Sequence, residues 1–201
     1  MSAATAHSDS AWPAILTWRG DEVARMESVR VQLSGKRIKA YGRIVSAASD
    51  ATPAFSASYD LVTDEKGATK RLSLTVTMAE RERQLSIARD EENMWVIQQH
   101  SGKTSRSDFG GALDVDVVLS PFFNALPIRR TGLYQQAESV TLPVVYVRIP
   151  DLEVGPATIS YSSGGPDAKD GIKLHSPVAD TTVTVDSDGF ILEYPGLAAR
   201  I

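Results

Sequence analysis

The chain has 201 residues, 42% of them hydrophobic, with a net charge of −4 and no cysteine. That length and apolar content suit a folded chain with a sizeable core and exclude wholesale disorder. The missing cysteines exclude a disulfide framework, a thiol nucleophile, iron–sulfur clusters and thiolate zinc, and the acidic balance lacks the basic footprint of a nucleic-acid binder.

In chain order, Met1–Ser10 is small and polar, the first arginine is Arg19, and Pro13 interrupts the first apolar stretch. Residues 1–11 read as a flexible arm and 12–201 as a single β-rich domain. A secretory signal needs a basic start and an apolar run. With none readable here, the expectation is a soluble, cytoplasmic protein. Leu142–Val147 is among the longest apolar runs and falls far short of the ~20 residues of a membrane helix, so no integral membrane segment is expected.

The dominant period is two. Val29, Val31 and Leu33 alternate with polar residues, and Ser34-Gly35 then signals a hairpin into Arg37–Val45. Phe55, Ala57, Tyr59 and Leu61 repeat the pattern, as do Leu72, Leu74, Val76 and Met78, with hydroxyls and Asp60 between them. Met78–Leu85 contains good helix formers, but Leu85 and Ile87 continue the period of two, so a turn with at most a helical stub is expected. Leu113, Val115 and Val117 alternate next. Ser120–Leu126 has the marks of a short helix, with Ser120 as N-cap and Pro121 at the first helical position. Ala157, Ile159 and Tyr161, then Phe190, Leu192 and Tyr194, complete the set. About a dozen strands at this spacing predict a mainly β fold. We expect a strongly curved antiparallel sheet forming a barrel-like or half-barrel shell with a few short helices; such a shell has room inside for a ligand as well as side chains, and its mix of small residues and rings either leaves voids or nests to fill them.

The chemistry-bearing candidates gather around one stretch. Asp114 and Asp116 share a strand face opposite the apolar one, roughly 6.6 Å apart. A solvated or arginine-paired face explains them, and a pair of carboxylates can also divide acid and base roles or hold a hard cation. Arg129 and Arg130 follow closely. If Pro127–Thr131 pairs back on the aspartate strand, one guanidinium meets a carboxylate and the other is a handle for an anionic or sugar head group. Tyr59, Tyr161 and Trp95, with Trp18, Tyr41, Tyr146 and Tyr194, are aromatic rings with polar tips, suited to core packing or to the mouth of an amphiphile pocket. Nucleophile-elbow, phosphate-loop and zinc-protease motifs are absent. The three histidines lie far apart, so neither a metal nor a cofactor is expected.

The run Asp114-Val115-Asp116 followed by Ser120-Pro121-Phe122-Phe123-Asn124-Ala125-Leu126-Pro127-Ile128-Arg129-Arg130 resembles the signature of a bacterial glycolipid-binding protein family that began as a domain of unknown function. The likeness extends from Trp18 to Arg200, through Trp95, Tyr146-Val147 and Glu193-Tyr194-Pro195-Gly196-Leu197. It implies a β shell similar to those of bacterial lipoprotein carriers, with an apolar cavity inside, and a lipid or glycolipid-like small molecule as partner. The ligand-binding candidates are then Arg129, Arg130, Asp114, Asp116, Tyr59, Tyr161 and Trp95. An enzyme acting on a sugar or lipid through Asp114 and Asp116, and an interaction module without a ligand, stay open as alternatives. The oligomeric state is not readable.

Overall fold

A computed structural model describes residues 12–50, 52–166 and 171–201. The arm expected over residues 1–11 lies outside the described residues; the first strand begins at Ala14. The described residues form fifteen strands and one helix. The first eight strands are β1 (Ala14–Gly20), β2 (Arg25–Ser34), β3 (Arg37–Ser46), β4 (Phe55–Thr63), β5 (Thr69–Met78), β6 (Glu82–Arg89), β7 (Trp95–Gln99) and β8 (Thr104–Ser107). Then come β9 (Asp114–Val117) and the helix α1 (Pro121–Thr131). The rest are β10 (Ala137–Arg148), β11 (Glu153–Gly164), β12 (Ile172–Ser176), β13 (Ala179–Val185), β14 (Ile191–Tyr194) and β15 (Ala198–Arg200).

All fifteen strands join one sheet in the order β8-β7-β6-β5-β4-β3-β2-β1-β15-β14-β13-β12-β11-β10-β9. Two meanders, one from each half of the chain, meet where β1 pairs antiparallel with β15. Every pairing is antiparallel except β9 with β10, which is parallel. Short turns explain the meander. Gly35 takes φ +59° in the tight β2–β3 turn, a conformation that costs glycine little. Met78 N–H bonds Arg81 O at 2.8 Å to close the β5–β6 turn, so the helix-forming residues there make a hairpin and no helical stub.

The period of two translates directly into burial. On β2, β3 and β4, inward side chains are buried and alternate with exposed or half-buried ones. Gly42 on β3 sits opposite Tyr59 on β4, and the Tyr59 ring lies on it: a Cβ at Gly42 would stand 2.0 Å from Tyr59 Cζ.

The expected strongly curved, barrel-like or half-barrel shell is overturned. The strand order is open, with β8 and β9 at unpaired ends. β8 is short, polar and largely exposed, as an unpaired edge is when it must avoid further pairing. The few short helices reduce, among the described residues, to α1. It is longer than expected and runs through Pro127 to a left-handed Gly132 at φ +80°, whose N–H bonds back to Ile128 O. That also removes the expected return strand at Pro127–Thr131.

The helix takes the place that an empty interior would have held. Pro121 to Arg129 are all buried, as in a helix surrounded by protein on every side. Phe122 stacks between Tyr59 and Phe190, with ring centroids 6.0 and 6.2 Å away, and Phe123 meets Tyr59 edge-on at 5.0 Å. These rings belong to one hydrophobic core, and no defined apolar cavity is seen among the described residues where one was expected.

Candidate functional site

The helix is held at its N-terminus by a carboxylate the sequence reading did not single out. Ser120, the N-cap, does not cap the helix with its own hydroxyl. Its hydroxyl donates to Glu27 Oε1 at 2.6 Å, and Tyr59 donates to the same oxygen at 2.6 Å. The Phe122 N–H points at Glu27 Oε2 from 3.5 Å. Glu27 thus stands in for the missing cap, a negative group at the positive end of the helix. Burial pushes its carboxyl up to about 7, partly offset by the Ser120 and Tyr59 hydroxyls.

Asp114 and Asp116 are not on a wet face: all four residues of β9 are buried. Asp114 is gripped by Arg130, whose Nε lies 3.2 and 3.0 Å from the two carboxylate oxygens and whose Nη2 lies 2.7 Å from Oδ2. Burial raises the Asp114 carboxyl above its ordinary value, and Arg130 pulls it back. The helix, rather than a return strand, supplies this arginine. Two turns earlier on the same helix, Asn124 donates from Nδ2 to Asp116 Oδ1 at 2.9 Å.

Asp116 reaches an open cleft of about 440 Å³. Ser120, Asn124, Tyr146 and Tyr194 line it with Asp116, and Leu119, Val178 and Leu197 supply apolar flanks. β9 and β10 place Asp116 directly beside Tyr146, while the end of β14 supplies Tyr194. Leu119, in the link between β9 and α1, takes φ +76°. That left-handed backbone is costly for leucine and marks a site the surroundings over-determine.

The electrostatics converge on Asp116. Burial first, and Asp114 second, push its carboxyl up to about 7. Burial and then Asp116 push the Tyr146 phenol up to about 12, and the same two causes lead the rise at Tyr194. The Tyr146 hydroxyl is buried without a hydrogen-bond partner among the described residues, and so is that of Tyr161 nearby. A buried polar atom without a partner costs about 1–3 kcal/mol; of these two tyrosines, Tyr146 lines the cleft and Tyr161 does not.

The remaining candidates serve the core. Tyr59 holds Glu27. Trp95 is fully buried and donates from Nε1 to Ala112 O at 2.9 Å. Arg129 is buried over the Phe190 ring at 4.5 Å, away from both aspartates' hydrogen bonds. Of the seven residues expected to bind a ligand, the cleft presents Asp116; Asn124, Tyr146 and Tyr194 join it. Asp114 does not line the cleft, so no pair of free carboxylates is offered there for acid–base division. Among the described residues, no group of three or more histidines and carboxylates suits a metal.

A family profile described as "Putative glycolipid-binding" matches residues 15–200. The chain belongs to this glycolipid-binding family. A crystal structure of a DUF1089 family protein from Pseudomonas aeruginosa is similar in fold, with a TM-score of 0.68 and 23% sequence identity over 92% of this chain and 95% of that one. No curated protein matches the chain. Neither finding extends to the lipoprotein carriers whose shells the resemblance implied.

Proposed function

We propose that the protein binds a small amphiphile of the glycolipid type, with the head group in the Asp116 cleft. The observation that carries this reading is the meeting of a buried carboxyl, the Asn124 amide and an unpartnered Tyr146 phenol in one open cleft. A sugar hydroxyl both donates and accepts, so it satisfies a carboxyl oxygen and a phenol together. Leu119, Val178 and Leu197 give an apolar lip for the first part of a hydrocarbon chain. With α1 buried in the core, the rest of the hydrocarbon lies along the surface. The family description agrees with a glycolipid partner.

Isothermal titration with octyl glucoside, kept monomeric, tests the reading. Hydrogen bonds to a charged group are worth about 1.5–3 kcal/mol, so Asp116→Ala should weaken binding about tenfold to a hundredfold, and Tyr194→Phe less. Equal binding by wild type and Asp116→Ala would remove the cleft from the function.

A further inference from the structure

The outer face of β1, β2 and β3 carries a second, separate pattern. Its outward positions are exposed throughout the two long strands: Met26, Ser28, Arg30, Gln32 and Ser34 on β2, and Arg37, Lys39, Tyr41, Arg43 and Val45 on β3. β1 adds Ile15 and Arg19. The register sets these side chains next to one another: Ile15 beside Arg30, Arg19 beside Met26, Ser28 beside Arg43, and Arg30 beside Tyr41. Five cations therefore share a face on which no acid of these three strands points outward; Glu27, their one acidic residue, is buried inward. This stands out in a chain whose net charge is −4. The acids at the border are Asp21 and Glu22 in the β1–β2 turn, Asp60 on β4, which lies 3.8 Å from Arg71, and Glu65, which lies 3.8 Å from Arg37.

The same face exposes apolar side chains that a water-facing sheet would not need. Ile15 is 69% exposed, Tyr41 50%, Val45 44% and Met26 43%. Met26 and Val45 are directly paired, and with Arg19 they edge a shallow depression at one end of the face.

We propose that this face docks on the surface of an anionic lipid bilayer. Cations interleaved with exposed apolar side chains are what an interfacial surface requires: the charges meet anionic head groups while the apolar tips enter the boundary beneath them. The arginine stems add apolar contact below their charged heads. A nucleic acid would use the cations but leaves Ile15, Met26 and Val45 without a partner. The inference rests on the sheet's outer face and does not depend on the Asp116 cleft.

Cosedimentation of the full chain with vesicles tests it. The protein should partition onto vesicles of equimolar phosphatidylcholine and phosphatidylglycerol and not onto phosphatidylcholine alone. Raising salt from about 0.1 M to about 1 M cuts the screening length from about 10 to 3 Å and should release it. Arg30→Gln with Arg43→Gln should lower partitioning about 25-fold, at about fivefold for each basic residue near the surface. Both positions are exposed, and an unchanged urea unfolding midpoint checks that the variant is folded. Met26→Ser with Val45→Ser, which keeps every charge, should weaken binding at about 0.1 M salt, where the wild type is bound. Equal binding to both vesicle types, unaltered binding by the arginine variant, or displacement from vesicles by duplex DNA would each overturn the proposal.

Discussion

Replacing Arg130 by methionine keeps most of the apolar stem and removes the charge facing Asp114. The structure sets the size of the effect. Asp114 is 1% exposed and takes all three of its guanidinium contacts from Arg130, at 2.7 to 3.2 Å. Breaking one side of a buried pair costs about 3–5 kcal/mol, because the other charge is left without compensation. In a protein of this length, 1 kcal/mol lowers Tm by about 2–4 °C, so Arg130→Met should lose about 6–20 °C. The loss should depend on pH. Without Arg130 the folded-state Asp114 carboxyl rises further above its unfolded value; the variant's deficit is then smallest when both states are protonated, below about 4, and grows as pH rises. Adding Asp114→Asn removes the stranded charge, so the double variant should recover at least about 1 kcal/mol in urea unfolding near neutral pH. A cost below about 1 kcal/mol, the value of an exposed pair, or a double variant no more stable than the single one, would refute the reasoning.

Gly42→Ala should destabilise by about 1–3 kcal/mol through overpacking, since the new Cβ meets the Tyr59 ring, which Glu27 holds in place; urea unfolding of the variant reads this, and a neutral result would contradict the packing. Glu27→Gln tests the buried carboxyl at the helix start. Its folded pKa of about 7 lies above the ordinary 4.5, so wild-type stability from this group is full below about 4.5 and is lost as pH rises through about 7. Relative to wild type, Glu27→Gln should therefore gain stability between pH 5 and 8, by as much as about 3 kcal/mol at 1.36 kcal/mol per unit. A stability difference that does not change with pH would show that Glu27 titrates normally.

The strands that carry the fold were readable where alternation was long. Leu72, Leu74, Val76 and Met78 are buried as their period requires, and so are Phe55, Ala57, Tyr59 and Leu61. Alternation tells which face is buried, not what covers it, so a filled interior and a hollow one look the same along the chain. It is α1 that decides between them, and Pro127 within it obscured its length. β9 has four residues, too few for a period to show that α1 and β5 pack against it as well as β10. Glu27 had a signal: extending Val31 and Val29 back by two places it on the inward face. The cleft itself joins residues from β9, α1, β10 and β14, whose nearness comes from long-range pairing that no local pattern encodes. Asp116 is legible because an acid in an apolar run is conspicuous; Tyr146 and Tyr194 carry no mark along the chain that separates them from the other aromatics.

The most direct test of the account is where an amphiphile sits. Amide and aromatic-ring chemical shifts, followed by NMR while octyl glucoside is added below its micelle concentration, report this in one titration. The account predicts saturable changes concentrated at Asp116, Asn124, Tyr146, Tyr194 and Leu197, with the buried rings of Phe122 and Phe123 unmoved. Changes centred on Phe122 and Phe123, which would mean a chain entering the core, or no saturable change at the cleft, would contradict it.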